Sequence, residues 1–332
     1  MVSAAVTEPL GRYAPDAWDP PVDPASVELV ADACAAAGLD VERGRTIGSA
    51  TTLGVGGAAN VYVELPDLSA VQEFSRALGT TTPEQVPLFV LGKGSNTLVS
   101  DLGFGGVVAH LGPGHKWLRR DGADVVAGAA EAMPLLASFA AREGLAGLEF
   151  AAGIPATVGG SVRMNAGAHG GDTAGALVEV DVVTAGTGER VSLAADTLGF
   201  SYRHSALPPR SIVVAARWRL VPDEPDAIRA RLDELRAWRR ATQPLRQRNC
   251  GSVFTNPDGS SAGALVDRAG GKGMRVGGAT VSRKHANFIT VAADATASDV
   301  YALIAAVRQR VVSAGGPLLQ PEVRLLGRFP TL

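Results

Sequence analysis

Two glycine-rich stretches are the places where this chain could do chemistry. The longer, residues 147–171 (GLEFAAGIPATVGGSVRMNAGAHGG), is almost uncharged and reads as a poor helix. The shorter, residues 91–97 (LGKGSNT), carries Lys93. Glycine has no Cβ, so backbone amides can turn toward a ligand and close on it. A pyrophosphate held by main-chain N–H groups needs such a stretch. For one loop, tight turns between buried strands are the plain alternative. Two in one chain point instead to a large, phosphate-bearing cofactor. The common nucleotide fingerprints are absent. The run GVGG at 54–57 precedes a strand where the dinucleotide motif follows one, and GKGSN at 92–96 lacks the P-loop spacing.

Composition bounds the rest. The chain has 332 residues, 46% hydrophobic and 19% charged, enough for two or three folded domains. A formal net charge of −2 gives no global electrostatic case for nucleic acid or an anionic membrane. Cys34 and Cys250 are too few for a disulfide framework and lack metal-ligand spacing. Residues 1–25 hold no signal-peptide pattern, and no run of ~18 apolar residues occurs. A cytoplasmic protein without membrane insertion, metal or nucleic-acid partner is expected.

The elements that must position the loops follow from spacing. Residues 26–38 show helical periodicity with a glycine stop, and 60–65 alternate with Val61, Val63 and Leu65 on one face. A helix over Leu68–Leu78 and a buried strand over 86–91 lead into the short glycine loop. Strands are expected at 105–111 and Asp124–Gly128, and a helix at 134–144 with proline in its first turn. After the long stretch come a hairpin (176–185 with 190–193), a strand at 211–220 and helices at Pro225–Thr242, 263–269 and Ala297–Ser313. The first of these helices ends in Arg236, Arg239 and Arg240.

With their flanks, the two stretches resemble one family. TTLGVGGAA (51–59), LGKGSNTLVSD (91–101) and GIPATVGG (153–160) are similar to the flavin loops of the UDP-N-acetylenolpyruvoylglucosamine reductases. Further matches to that family are MNAGA (164–168), Tyr202-Arg203, NCGSVFTNP (249–257), SRKHANFI (282–289) and PEVR (321–324), in the same order over about residues 45–327. The resemblance implies an α+β FAD-binding fold of the vanillyl-alcohol-oxidase type in two subdomains (25–90 and 91–222). A C-terminal α+β substrate-binding domain (223–332) follows, while residues 1–24, Pro- and Asp-rich and aperiodic, read from composition as a disordered or loosely packed extension. The resemblance implies non-covalent FAD, NADPH as hydride donor, and reduction of a UDP-linked enolpyruvyl ether in peptidoglycan precursor synthesis by a monomer. FAD contacts are implied at Val55, Gly56, Gly57, Gly92, Lys93, Gly94, Ser95, Asn96 and Thr97. The second loop would add Gly153, Ile154, Pro155, Thr157, Val158, Gly159, Gly160, Ser161, Asn165, Ala166 and Gly167.

The implied chemistry makes its own demands. Hydride delivered to the terminal carbon of an enol ether leaves charge on the carboxylate side, and C2 must then be protonated. Arg203 suits the carboxylate because guanidinium grips it bidentately and stays charged. Glu322 would order that site or, protonated, donate to the developing enolate. Ser252 would deliver the proton to C2. These three coincide with the family's catalytic residues. Tyr202, Arg240, Arg246, Asn256, His285, Asn287 and Arg324 are implied at the UDP-sugar.

Each residue has a plainer reading: a surface ion pair for Arg203, a turn for Ser252 or Asn256, a strand end for His285 and Asn287. For Arg240, the plainer reading is a basic helix end. His169 stands where many relatives have tyrosine, and Lys93 and Ala156 where glycine is common. The short interval from Arg203 to Ser252 resembles the branch lacking a tyrosine-bearing lid. A paralogue acting on another enol ether, a flavin oxidase and a non-catalytic nucleotide-binding module are the rival readings.

Overall fold

A computed structural model describes residues 22–329. The extension expected over 1–24 lies outside the described residues except for its last three, where Asp23 caps α1 (Pro24–Ala36) by accepting from the Ala25 amide. Val27, Val30, Ala31 and Cys34 bury one face of that helix.

The first sheet has the order β1-β2-β5-β3, comprising β1 (Asp40–Thr46), β2 (Ala58–Leu65), β5 (Phe104–Leu111) and β3 (Leu88–Leu91). β1 is antiparallel to β2, and the other pairs are parallel. Nothing in DVERGRT announces a strand. β1 lies on an edge with most side chains in solvent, so it needs no apolar alternation. Alternation in β2 has a structural reason on both faces. Val61, Val63 and Leu65 enter the main core with α2 (Leu68–Leu78), while Ala59 and Tyr62 join a smaller core with Leu91, Phe104 and Val108. Val71, Phe74 and Leu78 are fully buried on α2, and each such side chain contributes about 1.5–3 kcal/mol. β3 is shorter than expected, and Val90 is 36% exposed, because it forms the sheet's other edge.

The second sheet is antiparallel throughout. Its order is β12-β11-β13-β7-β6, built from β6 (Leu118–Asp121), β7 (Asp124–Gly128), β11 (Leu177–Thr184), β12 (Arg190–Ala194) and β13 (Ser211–Arg219). Its inner face carries the fully buried Trp218, whose indole N–H donates to Thr173 O at 3.1 Å. Helices α3 (Met133–Arg142) and α5 (Pro225–Thr242) pack beside it, tied by β8 (Leu145–Ala146) pairing with β14 (Val221–Pro222). Ile228 and Leu232 of α5 belong to this first core.

The remaining chain builds a second core. It contains α6 (Ala262–Arg268), α7 (Ala297–Ser313) and a small sheet of β15 (Arg275–Val276), β16 (Ala279–Val281) and β17 (Ile289–Val291). Leu53, Val55 and Leu98 from the first half pack into it. The joint is a parallel pair between β4 (Thr97–Val99) and β18 (Arg324–Leu326), with Thr97 opposite Arg324.

Candidate active site

A cavity of about 1100 Å³ opens between the two sheets and the second core. One wall is the loop after β3. None of the five amides from Gly92 to Asn96 donates a hydrogen bond among the described residues, so they form an unfilled cradle of donors. Gly94 has φ +57°, and a Cβ on Gly92 would stand 2.5 Å from Thr157 Oγ1, which is how closely the two glycine loops meet.

The opposite wall runs over Gly153, Ile154, Pro155, Thr157, Gly159 and Gly160. This glycine-rich run folds as a helix after all, α4 (Val158–Met164). Thr157 caps it by accepting from Gly160 N at 3.2 Å, Val158 and Val162 bury its inner face, and Asn165 closes it in the left-handed region at φ 40°. A hairpin of β9 (Gly167–Ala168) and β10 (Gly171–Asp172) continues the wall, with Ala166 and Gly167 facing the cavity.

Charge in the cavity is one-sided. Lys93, Lys116, Arg163, Arg203, Arg210, Arg239 and Arg324 line it, against Glu322 as the one carboxylate among the described lining residues. Burial of Arg163, Arg210, Arg239 and Arg324 weakens each guanidinium's hold on its proton, Arg324 falling to about 10. Such a lining is complementary to a polyanion, and with the amide cradle it fits FAD.

Three of the residues expected to be catalytic share this cavity. Arg203 sits in a tight turn bridged between Ser201 and His204, with φ +56°. Its Nε donates to Glu322 Oε1 at 2.8 Å and its Nη2 donates to Gly167 O at 2.8 Å. Asn165 Nδ2 holds the turn by donating to Ser201 O at 3.0 Å. Glu322 precedes β18, so the β4–β18 pairing delivers it. Its amide donates to Val253 O at 2.7 Å, and its carbonyl accepts from Asn96 Nδ2 at 3.0 Å. Burial pushes its carboxyl above the usual range even though Arg203 pulls the other way. Ser252 follows Gly251, whose φ of +76° turns the chain along the wall. Its neighbour Cys250 is buried and burial pushes its thiol up to about 12, which disfavours the thiolate at neutral pH.

Other expected site residues have structural partners or lie outside the cavity lining. Val55 is buried in the second core, while Gly56 and Gly57 let the chain pass over β4, where a Cβ would meet Val99 O at 2.2 Å and Asp101 O at 2.6 Å. Val158 and Ser161 lie fully buried behind the wall. Asn165 is satisfied by Ser201 O, Asp172 Oδ2 and the Ala174 amide. Asn287 brackets the backbone of Phe254, accepting from its N–H at 2.9 Å and donating to its carbonyl at 2.8 Å. Asn256 accepts from Ala262 N, and His285 accepts from Asn287 N and packs edge-on against Phe288.

Tyr202 is 55% exposed, lies 4.8 Å under the Arg203 guanidinium, and accepts from Asn256 N at 3.4 Å. Arg240 and Arg246 are exposed and outside the lining, whereas Arg324 is within it. Arg239 faces the cavity where Arg240 was expected. The signal was present: positions 228, 232, 235 and 239 fall on one helical face, behind the buried Ile228 and Leu232. Arg163, Arg210 and Gln247 also line the cavity, and no local pattern marks them.

An amide cradle, a polycationic cavity and a second core closing over them define a FAD-dependent oxidoreductase of the vanillyl-alcohol-oxidase type of fold. Residues 67–194 match the FAD binding domain, and residues 243–326 match the UDP-N-acetylenolpyruvoylglucosamine reductase C-terminal domain. The UDP-N-acetylenolpyruvoylglucosamine reductase of Novosphingobium aromaticivorans is 44% identical over 274 residues, 82% of this chain and 91% of that protein. That of Gloeobacter violaceus is 43% identical over 293 residues, 87% of this chain and 97% of that one. The crystal structure of the Thermus caldophilus reductase superposes with a TM-score of 0.75 at 37% identity, covering 87% of this chain and 99% of that chain. The chain belongs to the UDP-N-acetylenolpyruvoylglucosamine reductase family.

Proposed function

We propose that this chain reduces UDP-N-acetylglucosamine enolpyruvate to UDP-N-acetylmuramate with NADPH, supplying a peptidoglycan precursor, and acts as a cytoplasmic monomer. Among the described residues no helix is long and apolar enough to cross a membrane. The observation that carries the reading is the convergence of Ser252 and the Arg203–Glu322 pair on one cavity whose other charged lining residues, among those described, are all basic.

FAD, held on loops 92–97 and 153–160 with Ala166 and Gly167, supplies hydride transfer when bound. The chain's own side chains do the rest. Arg203, with Nε and Nη2 fixed by Glu322 and Gly167, still has Nη1 for the substrate carboxylate and stabilises charge as it builds there. Glu322 orients that guanidinium; burial raises its pKa while Arg203 pulls the other way, and in its protonated form it would donate toward the enolate. Ser252 gives its hydroxyl proton to C2. Arg239 and Arg324 would balance the diphosphate, and the exposed Tyr202 would cover the mouth in place of a lid.

Mixing the holoenzyme anaerobically with NADPH and then with the UDP-linked enolpyruvate tests this. Bleaching of the flavin by the first and recovery of colour with the second is expected. Flavin that stays reduced after the enolpyruvate is added would sink the reading.

A further inference from the structure

Outside the cavity the charge of this chain is unevenly spread. Residues 240–284 hold eight basic and two acidic side chains, a net of +6 in a chain whose total is −2. Elsewhere many surface cations are paired, although Lys116, Arg119 and Arg142 are exposed and join no ion pair among the described residues. On the outer face of the second sheet, Arg217 pairs with Glu179, Asp121 and Asp124, Arg219 with Asp124, and Arg190 with Asp181. Arg240, Arg246, Arg248, Arg283 and Lys284 are exposed, and among the described residues none of them joins an ion pair.

These cations form a belt along the mouth. Lys284 Nζ donates to the carbonyl of Arg240, whose neighbour Arg239 lines the cavity. Arg283 lies against Gly273, where a Cβ would stand 3.0 Å from its guanidinium, and Lys272 adjoins that glycine. Arg248 lies against Gly54, between Gln247 and Asn249, which both line the cavity. The macrodipole of α5 accounts for basic residues at its last turn, but Arg246, Arg248, Arg283 and Lys284 lie off that helix.

We propose that this belt is an electrostatic guide that speeds capture of phosphate-bearing nucleotides by the cavity. It rests on the functional reading above, since both the UDP-linked substrate and the reductant are polyanions. Uncompensated charge beside a low-dielectric opening raises encounter rates about 10-fold to 1000-fold, and salt screens it within about 8 Å at physiological ionic strength. Because the belt residues lie outside the lining, they act on association and leave the chemical step alone.

The test is stopped-flow association of NADPH, and separately of the UDP-linked enolpyruvate, with the holoenzyme, followed through flavin absorbance over a range of salt. Arg283→Glu with Lys284→Glu should slow association about 3-fold to 10-fold at low salt, flatten the salt dependence, and leave kcat at saturation unchanged. Arg229→Glu, near the start of α5, serves as the control and should match wild type. Unchanged association constants and salt slope in the double variant overturn the proposal, as does a loss confined to binding of anionic lipid vesicles. If the enolpyruvate is not turned over, the functional reading fails, while the NADPH salt slope still decides the guide.

Discussion

Ser252, Arg203 and Glu322 are each ordinary as isolated residues, and their roles can be separated experimentally. A serine hydroxyl is a feeble acid, so its role depends on meeting a strongly basic intermediate. Ser252→Ala should leave bleaching by NADPH intact while slowing reoxidation by substrate about 10²-fold to 10⁴-fold, the usual range for a lost general acid. Equal loss in both half-reactions would mean that Ser252 shapes the fold instead.

Glu322 makes a different prediction, through pH. Its folded pKa is raised by burial, above an unfolded value of about 4.3. Between the two values the folded state holds the extra proton. The stabilisation is therefore complete below the unfolded value and is lost as pH rises through the folded one. Glu322→Gln should remove that decline, so denaturation midpoints of the two holoenzymes should converge in acid and diverge toward neutrality. Parallel curves would refute the raised pKa.

At the scale of elements, much was legible because local chemistry and tertiary packing agree. The bounds of α2, α5 and α7 follow from apolar spacing with Asp67, a first-turn proline and Thr296 at their starts. β1 and β6 were not legible, since exposed edge strands need no alternating pattern. α4 was hidden for the opposite reason. Two glycines argue against a helix, and only the Thr157 cap and burial of Val158 and Val162 overrule them. That Ser252, Arg203 and Glu322 belong to one site was readable through their motifs, and all three line one cavity. That Asn165 and Asn287 face inward was not, because most of their partners are backbone groups elsewhere in the chain that no local pattern marks.

Asn165 is the element-scale test. It ends α4, pins the β9–β10 turn through Asp172, and holds the Arg203 turn through Ser201 O. Asn165→Ala should cost about 1–3 kcal/mol from unsatisfied buried partners, with added strain at φ 40°. Asn165→Gly relieves the strain but restores no hydrogen bond. Both variants should lower kcat for substrate reduction, and full recovery of kcat in the glycine variant would show that strain, not anchoring of Arg203, was responsible.

For the whole molecule, what matters is that the chain on either side of the amide cradle also attaches the second core. Thr52 Oγ1 donates to Asn249 O at 2.6 Å, Ser100 donates to the carbonyl of Arg328, and β4 pairs with the strand that follows Glu322. Asp101, three residues past Leu98, caps α7 from outside its own segment. Its carboxylate accepts from Ala297 N at 2.9 Å, from Ser298 N at 2.8 Å and from Ser298 Oγ at 2.7 Å, beside the positive end of a 17-residue helix. The helix already has its own capping box at Thr296, so α7 should survive the loss of Asp101 while its attachment weakens. Asp101→Ala should therefore lower stability by about 1–2 kcal/mol, a Tm shift of roughly 2–8 °C, and release flavin at a lower temperature. Asp101→Asn, which keeps one acceptor, should fall between. Turnover per bound flavin at low temperature should stay near wild type, because none of the three catalytic side chains touches Asp101. A variant that melts like wild type, or one that keeps its flavin and stability yet loses turnover, would show that this carboxylate does not join the two cores.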